Sequence, residues 1–290
     1  MERATIFSPD RVTIVGILNT TPDSFSDGGR FVRGDTPLDV ELDVEAAVDA
    51  AALLRREGAH VLDVGGESTR PGAREVPAEV EIARTAPLIE ALAKRFELPI
   101  SIDTRKASVA EAALDAGAVV VNDVSGLGFD PELAGLVARR GATLVLGHLR
   151  GTPETMQRDP RFQDVLGEVT AELSASVELA CAAGVPLRRL VVDPGLGFGK
   201  HLEHNLALLA RVGELRERLG LPVLVGPSRK SFLGELSGEP VERRDELTWA
   251  ACAVAAFAGA DAVRVHAVGG AVRAVAVGRA LREARGEDRA

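Results

Sequence analysis

The sequence predicts the α/β fold class, and three observations support this prediction. Eight short runs rich in Val, Ile and Leu alternate with eight longer segments of helical periodicity. The runs consist almost entirely of apolar residues, which is typical of parallel strands that are covered by helices on both faces. Eight strand–helix units fit the 290 residues as a (β/α)8 TIM barrel, a single domain over residues 1–290. A doubly wound open sheet is the structural alternative.

The predicted elements follow one another without a linker or a low-complexity segment. Strands are predicted at 12–18, 60–65, 99–103, 118–122, 142–147, 189–193, 222–226 and 262–266. Helices are predicted near 40–57, 78–95, 107–116, 131–140, 161–183, 202–219, 245–258 and 270–285. Several helices end at a glycine, which supplies the left-handed residue favoured there, namely Gly58, Gly117, Gly141, Gly184, Gly220 and Gly259.

Charge and hydropathy argue against several classes of protein. The formal net charge of −9 disfavours non-specific binding to nucleic acid or to an acidic membrane, because both need a basic surface. No apolar run reaches the ~18 residues of a membrane span, and no N-terminal stretch resembles a signal peptide. Cys181 and Cys252 lie in Ala-rich apolar patterns, so we expect buried free thiols and a cytoplasmic protein.

Polar side chains stand where the predicted strands end. In a (β/α)8 barrel the carboxyl ends of the strands meet at one face, and catalytic groups lie there. Only three asparagines occur in the chain, and two of them are at strand ends. The set comprises Asn19, Asp63, Asp103, Asn122, Asp193, Arg264 and His266. Asn and Asp are also common turn and cap residues, but seven convergent positions favour a polar pocket suited to a flat heterocycle.

Basic residues mark an anion-binding side of the same face. Arg264 and His266 are two apart on the last strand and therefore point the same way. The stretch "GPSRKSF" after the seventh strand places two cations at the start of a short helix, where barrels often bind phosphate. The stretch "GGESTRPG" after the second strand adds Arg70 on a glycine-flanked loop. These positions predict a phosphate site beside the heterocycle pocket.

Other motifs admit a second interpretation. The stretch "DPGLGFGK" resembles a phosphate loop but departs from its pattern, because His201 follows Lys200. His201 and His204 are three apart on a predicted helix, which fits either a metal site or a solvated helix start. His60 lies at the beginning of its strand, away from the expected site, and a structural role is predicted for it.

Taken together, seven motifs resemble those of the dihydropteroate synthase family. They are "NTTPDSFSDGG", "DVGGESTRPGA", "SIDT", "VND", "DPGLGFGK", "GPSRKSF" and "RVH", and they cover nearly the whole chain. The resemblance implies a (β/α)8 barrel that is usually a homodimer. It implies the joining of 6-hydroxymethyl-7,8-dihydropterin diphosphate to 4-aminobenzoate, with release of diphosphate and with Mg²⁺ as cofactor. Both substrates are small molecules.

The resemblance also assigns roles to individual residues. It implies that the pterin is held by Asp103, Asn122, Asp193 and Lys230. It implies that the diphosphate is held by Asn19, Arg70, Arg264 and His266, with Asn19 also a metal ligand. It implies that the aminobenzoate is framed by Phe25, Thr69, Pro71 and Ser231. Phe25 lies on the loop from Thr20 to Gly29, which is expected to close over the second substrate once the diphosphate is bound.

Two positions depart from the family pattern. After the fifth strand the family commonly has Met-His-Met, whereas here Gly147 and Leu149 flank His148, and we expect Leu149 to supply the apolar surface. After "RVH" the family usually has Asp, whereas here Ala267 follows, which predicts looser surroundings for His266. A pterin-binding methyltransferase and a non-catalytic pterin-binding module are the alternative functions.

Overall fold

The computed structural model describes residues 6–7, 10–21, 32–36, 39–70, 72–73 and 75–286. Within them, eight parallel strands form the barrel: β1 (Thr13–Asn19), β4 (Val61–Gly65), β5 (Ile100–Asp103), β6 (Val120–Asp123), β7 (Thr143–Gly147), β8 (Leu190–Asp193), β9 (Leu224–Val225) and β10 (Ala262–Val265). Their order in the sheet is β8-β7-β6-β5-β4-β1-β10-β9. A parallel bridge between Val192 and Val223 joins the two edges, so the sheet closes and the open-sheet alternative is wrong.

Helices surround this barrel. They are α1 (Val44–Glu57), α2 (Ala78–Arg95), α3 (Ala107–Asp115), α4 (Leu133–Arg140), α5 (Val165–Ala182), α6 (Leu202–Ala210), α7 (Val212–Leu219), α8 (Ser231–Ser237), α9 (Asp245–Ala258) and α10 (Val268–Ala284). The six glycines predicted at helix ends all have positive φ. Within the described residues, no helix is both long enough and apolar enough to cross a membrane.

The apolar side chains form two layers. The larger one packs between the strands and the surrounding helices. The smaller one fills the barrel interior near the amino ends of the strands and consists of Phe7, Val15, Val61, Val120, Val145, Val191, Leu224 and Ala262. Because side chains alternate along a strand, the residue four positions after Val15 also points inward, at the opposite end. An apolar interior at one end therefore places Asn19 and its counterparts at the other.

The structure corrects three details of the predicted elements. An antiparallel hairpin, β2 (Val32–Thr36) and β3 (Asp39–Leu42), occupies the start of the first predicted helix. That helix begins later because the Asp43 carboxylate caps it, accepting from Ala46 N at 3.0 Å. The predicted helix 202–219 is divided at Arg211, whose φ of −116° leaves the helical region.

The cysteine prediction is half right. Both thiols are free, and Cys252 is buried on α9, where burial raises its pKa to about 12. Cys181 is exposed in the last turn of α5. An Ala-rich pattern does not distinguish the two faces of a helix, so the sequence could not separate these cases.

Candidate active site

A cavity of about 380 Å³ opens at the carboxyl ends of the strands. Ten residues of the predicted site line it, which are Asn19, Thr69, Arg70, Asp103, Asn122, Asp193, Lys230, Ser231, Arg264 and His266. Phe25 and Pro71 lie outside the described residues. The volume and the mixed polar and apolar lining are those of a small-molecule site. The structure thus brings together side chains that come from seven different strand–loop units.

Strand register aligns three of these positions, together with Gly65, in one row. Asn19 on β1 pairs with Gly65 on β4, Gly65 with Asp103 on β5, and Asp103 with Asn122 on β6. A Cβ atom on Gly65 would lie 3.4 Å from Asn19 Oδ1 and 3.6 Å from Asp103 Cβ. Glycine at this position therefore leaves space between the amide and the carboxylate that flank it.

Asp103 combines an ion pair with an unused acceptor. Its Oδ2 accepts from Arg264 Nη2 at 2.7 Å, while its Oδ1 is buried and has no hydrogen-bond partner among the described residues. Burial raises the pKa of Asp103 to about 7, although the contact with Arg264 opposes the rise. A buried carboxylate oxygen at a cavity wall is a ready acceptor for a ligand N–H, since leaving it unpaired is costly.

Asp63 has a different position from the one predicted. It lies two residues before the end of β4, is 1 % exposed and does not line the cavity. Its Oδ2 accepts from Arg264 Nε at 2.6 Å. Strand periodicity correctly places Asp63 on the inner face, but one layer below the site. Its role is to hold the Arg264 guanidinium from beneath.

His266 is held on both ring nitrogens. Nδ1 lies 2.8 Å from Ser228 Oγ, and Nε2 lies 3.2 Å from Asn19 Nδ2. Burial, together with the nearby cations, lowers the pKa of His266 well below its usual value, so the ring is neutral at pH 7. With Nδ2 donating to the ring, the Asn19 carbonyl oxygen faces Gly65. The Ala267 departure leaves these contacts intact, because Ser228 and Asn19 orient the ring.

The turn after β8 supports Asp193. Gly195 N donates to Asp193 Oδ1 at 2.7 Å, and Gly197 N donates to Asn205 Oδ1 at 2.6 Å. These amides are therefore used by side chains and are not available to a phosphate, which argues against a phosphate loop. Gly195 has φ +67°, and a Cβ there would lie 2.0 Å from His148 O. Only glycine fits this turn.

Lys200 fixes the same turn from below. Its Nζ lies 3.0 Å from both Gly195 O and Phe198 O and 2.9 Å from His148 Nδ1. Burial lowers the pKa of Lys200 to about 7, but three acceptors around three N–H groups favour the charged form. No role could be predicted for Lys200 from local sequence, since one of its partners, His148, lies on another loop.

The two cations of "GPSRKSF" have separate roles. Lys230 lines the cavity with its Nζ 3.6 Å from the centroid of the Phe198 ring, and burial lowers its pKa to about 8. Arg229 has a φ of +55° and binds Asp245 with two hydrogen bonds of 2.6 and 2.8 Å. Its amide donates to Thr248 Oγ1 at 2.9 Å. Contacts to α9 therefore stabilise the unusual backbone that turns Lys230 into the cavity.

Apolar cavity residues were missed from the sequence. Ile17 lies two residues before Asn19 on β1 and therefore points to the same face, so strand periodicity could have identified it. Leu196 and Phe198 supply apolar surface from the turn after β8, whereas Leu149 does not line the cavity. The expectation for Leu149 is therefore wrong. Aromatic and aliphatic loop residues carry no signal of which way they point.

The remaining histidines are structural. His201 precedes α6, and its N–H donates to His204 Nδ1 at 3.2 Å in a capping box. His60 accepts from Ile14 N at 2.9 Å at the amino end of the barrel. No group of three or more His, Cys, Asp or Glu side chains in the described part of the chain could hold a metal ion.

Comparison with known proteins identifies the family. The model of the pterin binding enzyme family matches residues 15–266. A dihydropteroate synthase from Synechocystis is 46 % identical over 89 % of this chain and 86 % of its own length.

Two solved structures extend the comparison. The Yersinia pestis dihydropteroate synthase, solved in complex with a sulfonamide drug, is 39 % identical, superposes with a TM-score of 0.88, and the match covers 95 % of this chain and 96 % of that chain. The Xanthomonas albilineans dihydropteroate synthase, solved with 4-aminobenzoic acid, is 44 % identical with a TM-score of 0.84 and 94 % of both chains covered. The chain described here therefore belongs to the dihydropteroate synthase family of pterin-binding enzymes.

Proposed function

We infer that this chain is a transferase of folate biosynthesis, a dihydropteroate synthase. It condenses 6-hydroxymethyl-7,8-dihydropterin diphosphate with 4-aminobenzoate to give 7,8-dihydropteroate and diphosphate. Family membership supports the reaction. The cavity has two chemically different walls, and this observation carries the assignment. Carboxylates and an amide line the wall at β5, β6 and β8, and cations line the wall at β10 and the 66–77 loop. A heterocycle fits the first wall and a diphosphate fits the second.

The pterin is proposed to lie against Asp103, Asn122 and Asp193. The unpaired Oδ1 of Asp103 accepts from an N–H of the ring edge, and Asp193 is fixed by Gly195 N for the same purpose. Lys230, between Phe198 and this wall, donates to a ring acceptor. Buried partners of this kind give strong discrimination, because a ligand without the matching groups leaves them unsatisfied.

Departure of the diphosphate is driven by positive charge. The C–O bond breaks towards the diphosphate while the electron-rich pterin stabilises the cationic carbon, and the aminobenzoate nitrogen then forms the C–N bond and loses a proton. Arg70 and Arg264 line the cavity and stabilise the leaving charge. Neutral His266 accepts from Asn19 Nδ2 through its Nε2 and so holds Asn19 beside the departing group. This route requires no side-chain nucleophile.

A magnesium ion fits this site only in company with the substrate. Asn19 offers one amide oxygen, and the described residues contain no carboxylate cluster that could hold the ion alone. Magnesium is commonly bound through one or two protein oxygens together with substrate phosphates and water. A single Asn19 oxygen beside a bound diphosphate would fit this type of site. When bound, the ion supplies Lewis-acid stabilisation of the leaving oxygens. Asn19 is its proposed ligand.

The second substrate is proposed to enter beside Thr69 and Ser231, which line the mouth of the cavity. Phe25 and Pro71 complete the proposed aminobenzoate site from outside the described residues. The carboxylate of aminobenzoate is proposed to lie beside Ser231, at the start of α8. Its amine then points inward, towards the pterin carbon that loses diphosphate.

The decisive test is an assay of diphosphate release with purified chain, pterin diphosphate and Mg²⁺, with and without 4-aminobenzoate. We expect release that depends on aminobenzoate and yields dihydropteroate. A Lys230→Met variant serves as the site-defective control. Pterin binding without any release would instead identify a non-catalytic module, and methyl transfer from methyltetrahydrofolate would identify the methyltransferase alternative.

We also propose that the chain is a cytoplasmic homodimer. Exposed Val254 on α9 and Val277 and Leu281 on α10 are 46, 58 and 55 % exposed. A Cβ atom on Gly278 would lie only 2.1 Å from Ala253 O, so the two helices that carry these exposed apolar residues pack closely against each other. Light scattering should give twice the chain mass, and Val277→Glu should yield monomers. Two free cysteines are consistent with a reducing compartment.

A further inference from the structure

A cluster of buried charges lies beneath the 66–77 loop, which joins β4 to α2. Arg105 and Lys106 lie two and three residues after the end of β5 and are each 5 % exposed. The side chain of Glu67 is 6 % exposed, and Glu81 on α2 is fully buried. Burying four charges is costly unless they pair closely, and a buried pair is not by itself a source of stability. The cluster therefore calls for an explanation beyond packing.

Lys106 binds both ends of the loop with one ammonium group. Its Nζ donates to Glu67 Oε2, near the beginning of the loop, and to Val76 O at 2.8 Å, near its end. The third donor reaches Glu81 Oε2 at 2.8 Å. All three N–H groups thus have acceptors, and two of these acceptors belong to the loop.

Further contacts hold the first residues of the loop. Glu67 Oε1 accepts from Arg105 Nη2 at 2.9 Å, and the Arg105 guanidinium lies 4.1 Å above the ring of Phe129. Arg84 on α2 donates to Gly66 O at 3.0 Å. Both carboxylate oxygens of Glu67 are therefore engaged, and its side chain has a single defined position.

The cluster links two parts of the site. Glu67 lines the edge of the cavity itself, and so do Thr69 and Arg70, two and three residues after it. Lys106 is three residues after Asp103, which ends β5 and carries the unpaired oxygen at the pterin wall. The same chain segment thus supplies a pterin contact and fixes the loop that faces the second substrate.

We propose that Glu67 and Lys106 are positioning residues whose ion pair sets Thr69 and Arg70 in register with Asp103. This inference rests on the proposed function, because it assigns Thr69 to aminobenzoate and Arg70 to the diphosphate. Small displacements of such groups have large effects on rate, whereas the pterin wall on β5, β6 and β8 does not depend on the loop.

Glu81 offers a matched control. Glu67 and Glu81 bind the same ammonium at buried positions, but only Glu67 belongs to the loop. Burial raises the pKa of Glu81 against the opposing effect of Lys106. Exchange to Gln in either case removes one charge and retains the shape. Disruption of the cluster as such would affect both variants equally, whereas loss of loop position affects Glu67→Gln alone.

The experiment measures turnover, the KM for aminobenzoate, the Kd for pterin by calorimetry, and Tm for both variants and the unmodified chain. We expect Glu67→Gln to lower kcat about tenfold or more and to raise the KM for aminobenzoate, with pterin Kd within about threefold. Glu81→Gln should lower Tm but keep kcat within about twofold of the unmodified chain. Glu67→Asp, which keeps the charge on a shorter stem, should also lose turnover and replaces Glu67→Gln if that variant does not fold.

Equal loss of turnover in Glu67→Gln and Glu81→Gln overturns the proposal, as does unchanged kcat in Glu67→Gln. Loss of pterin binding in Glu67→Gln also overturns it, since the cluster would then support the whole barrel. Failure of the proposed function has a separate signature, which is absence of aminobenzoate-dependent release by the unmodified chain.

Discussion

Arg264 donates from Nε to Asp63 at 2.6 Å, and this contact connects a residue below the cavity to one that lines it. The Asp63 carboxylate is 1 % exposed, and its second oxygen has no hydrogen-bond partner among the described residues. Asp103 binds the same guanidinium from the side. Two fixed carboxylates thus orient one cation towards the proposed diphosphate position, so that little reorganisation is needed when the leaving charge develops.

Asp63 does not line the cavity, but its exchange for Asn should still impair turnover. The amide carries no charge and holds Arg264 less firmly, so we expect kcat to fall about tenfold or more, equivalent to roughly 1.4 kcal/mol or more of transition-state stabilisation. Pterin affinity should change much less. Steady-state kinetics and calorimetry on the same preparation test this, and equal losses in both would mean that Arg264 contributes to ground-state binding only.

Asp193→Asn should weaken pterin binding. One carboxylate oxygen of Asp193 accepts from the Gly195 amide, and the other is proposed to accept from the pterin edge. Asn has only one side-chain oxygen, so its NH2 group would face a donor at one of these two positions. A mispaired buried group costs roughly 1–3 kcal/mol, which corresponds to an affinity loss of about 5- to 150-fold. Calorimetry measures this directly. Asp115→Asn, at an exposed ion pair with Arg140, is the control, and unchanged binding in Asp193→Asn would contradict the pterin assignment.

The burial of His148 should make the folded chain less stable in mild acid. It is 4 % exposed, Lys200 donates to its Nδ1, and Nε2 lies 2.9 Å from Glu172 Oε2. Burial, and secondarily Lys200, lowers its pKa to about 4. The unfolded chain binds this proton near pH 6.5 and the folded chain only near pH 4, so stability decreases as pH falls through this window.

Between pH 7 and pH 5 this one group should cost about 2 kcal/mol of the free energy of unfolding. Urea unfolding at both pH values measures the loss. The His148→Gln variant is less stable at pH 7 but cannot titrate, so its loss over the same interval should be smaller by about that amount. An identical loss in both proteins would show that His148 is protonated in the folded state.

Ala267 leaves the last helix without a side-chain cap, and Glu57 at the end of α1 replaces it in part. Glu57 Oε2 accepts from Gly269 N at 3.2 Å. Ala267→Asp should therefore raise the free energy of unfolding by about 0.5–1 kcal/mol, and by more in a Glu57→Ala background, where no carboxylate serves the helix start. Urea unfolding of the four proteins of this cycle provides the measurement. Equal gains in both backgrounds would mean that Glu57 does not cap α10.

The barrel and the inward positions at strand ends could be predicted because they depend on local periodicity. Asn19, Asp103 and Asp193 end their strands and Asn122 lies one residue before the end of β6, all on the inner face, and closure of the sheet brings them together. Asp63 obeys the same periodicity but lies one layer lower, since its depth depends on where β4 ends. The hairpin β2–β3 escaped prediction, because it follows a polar loop and its segment resembles the start of a helix.

The sequence alone determined which residue types reach the carboxyl face of the barrel, since a strand with alternating side chains allows only two directions. Only the tertiary structure decided their partners. Arg229 and Lys230 are adjacent cations that both line the cavity, yet the first pairs with Asp245 on α9 whereas the second lies over the ring of Phe198. The contacts of Glu67 with Lys106 and of Lys200 with His148 join loops 39 and 52 residues apart. Such pairings depend on the three-dimensional proximity of separate loops, which no local pattern of residues encodes.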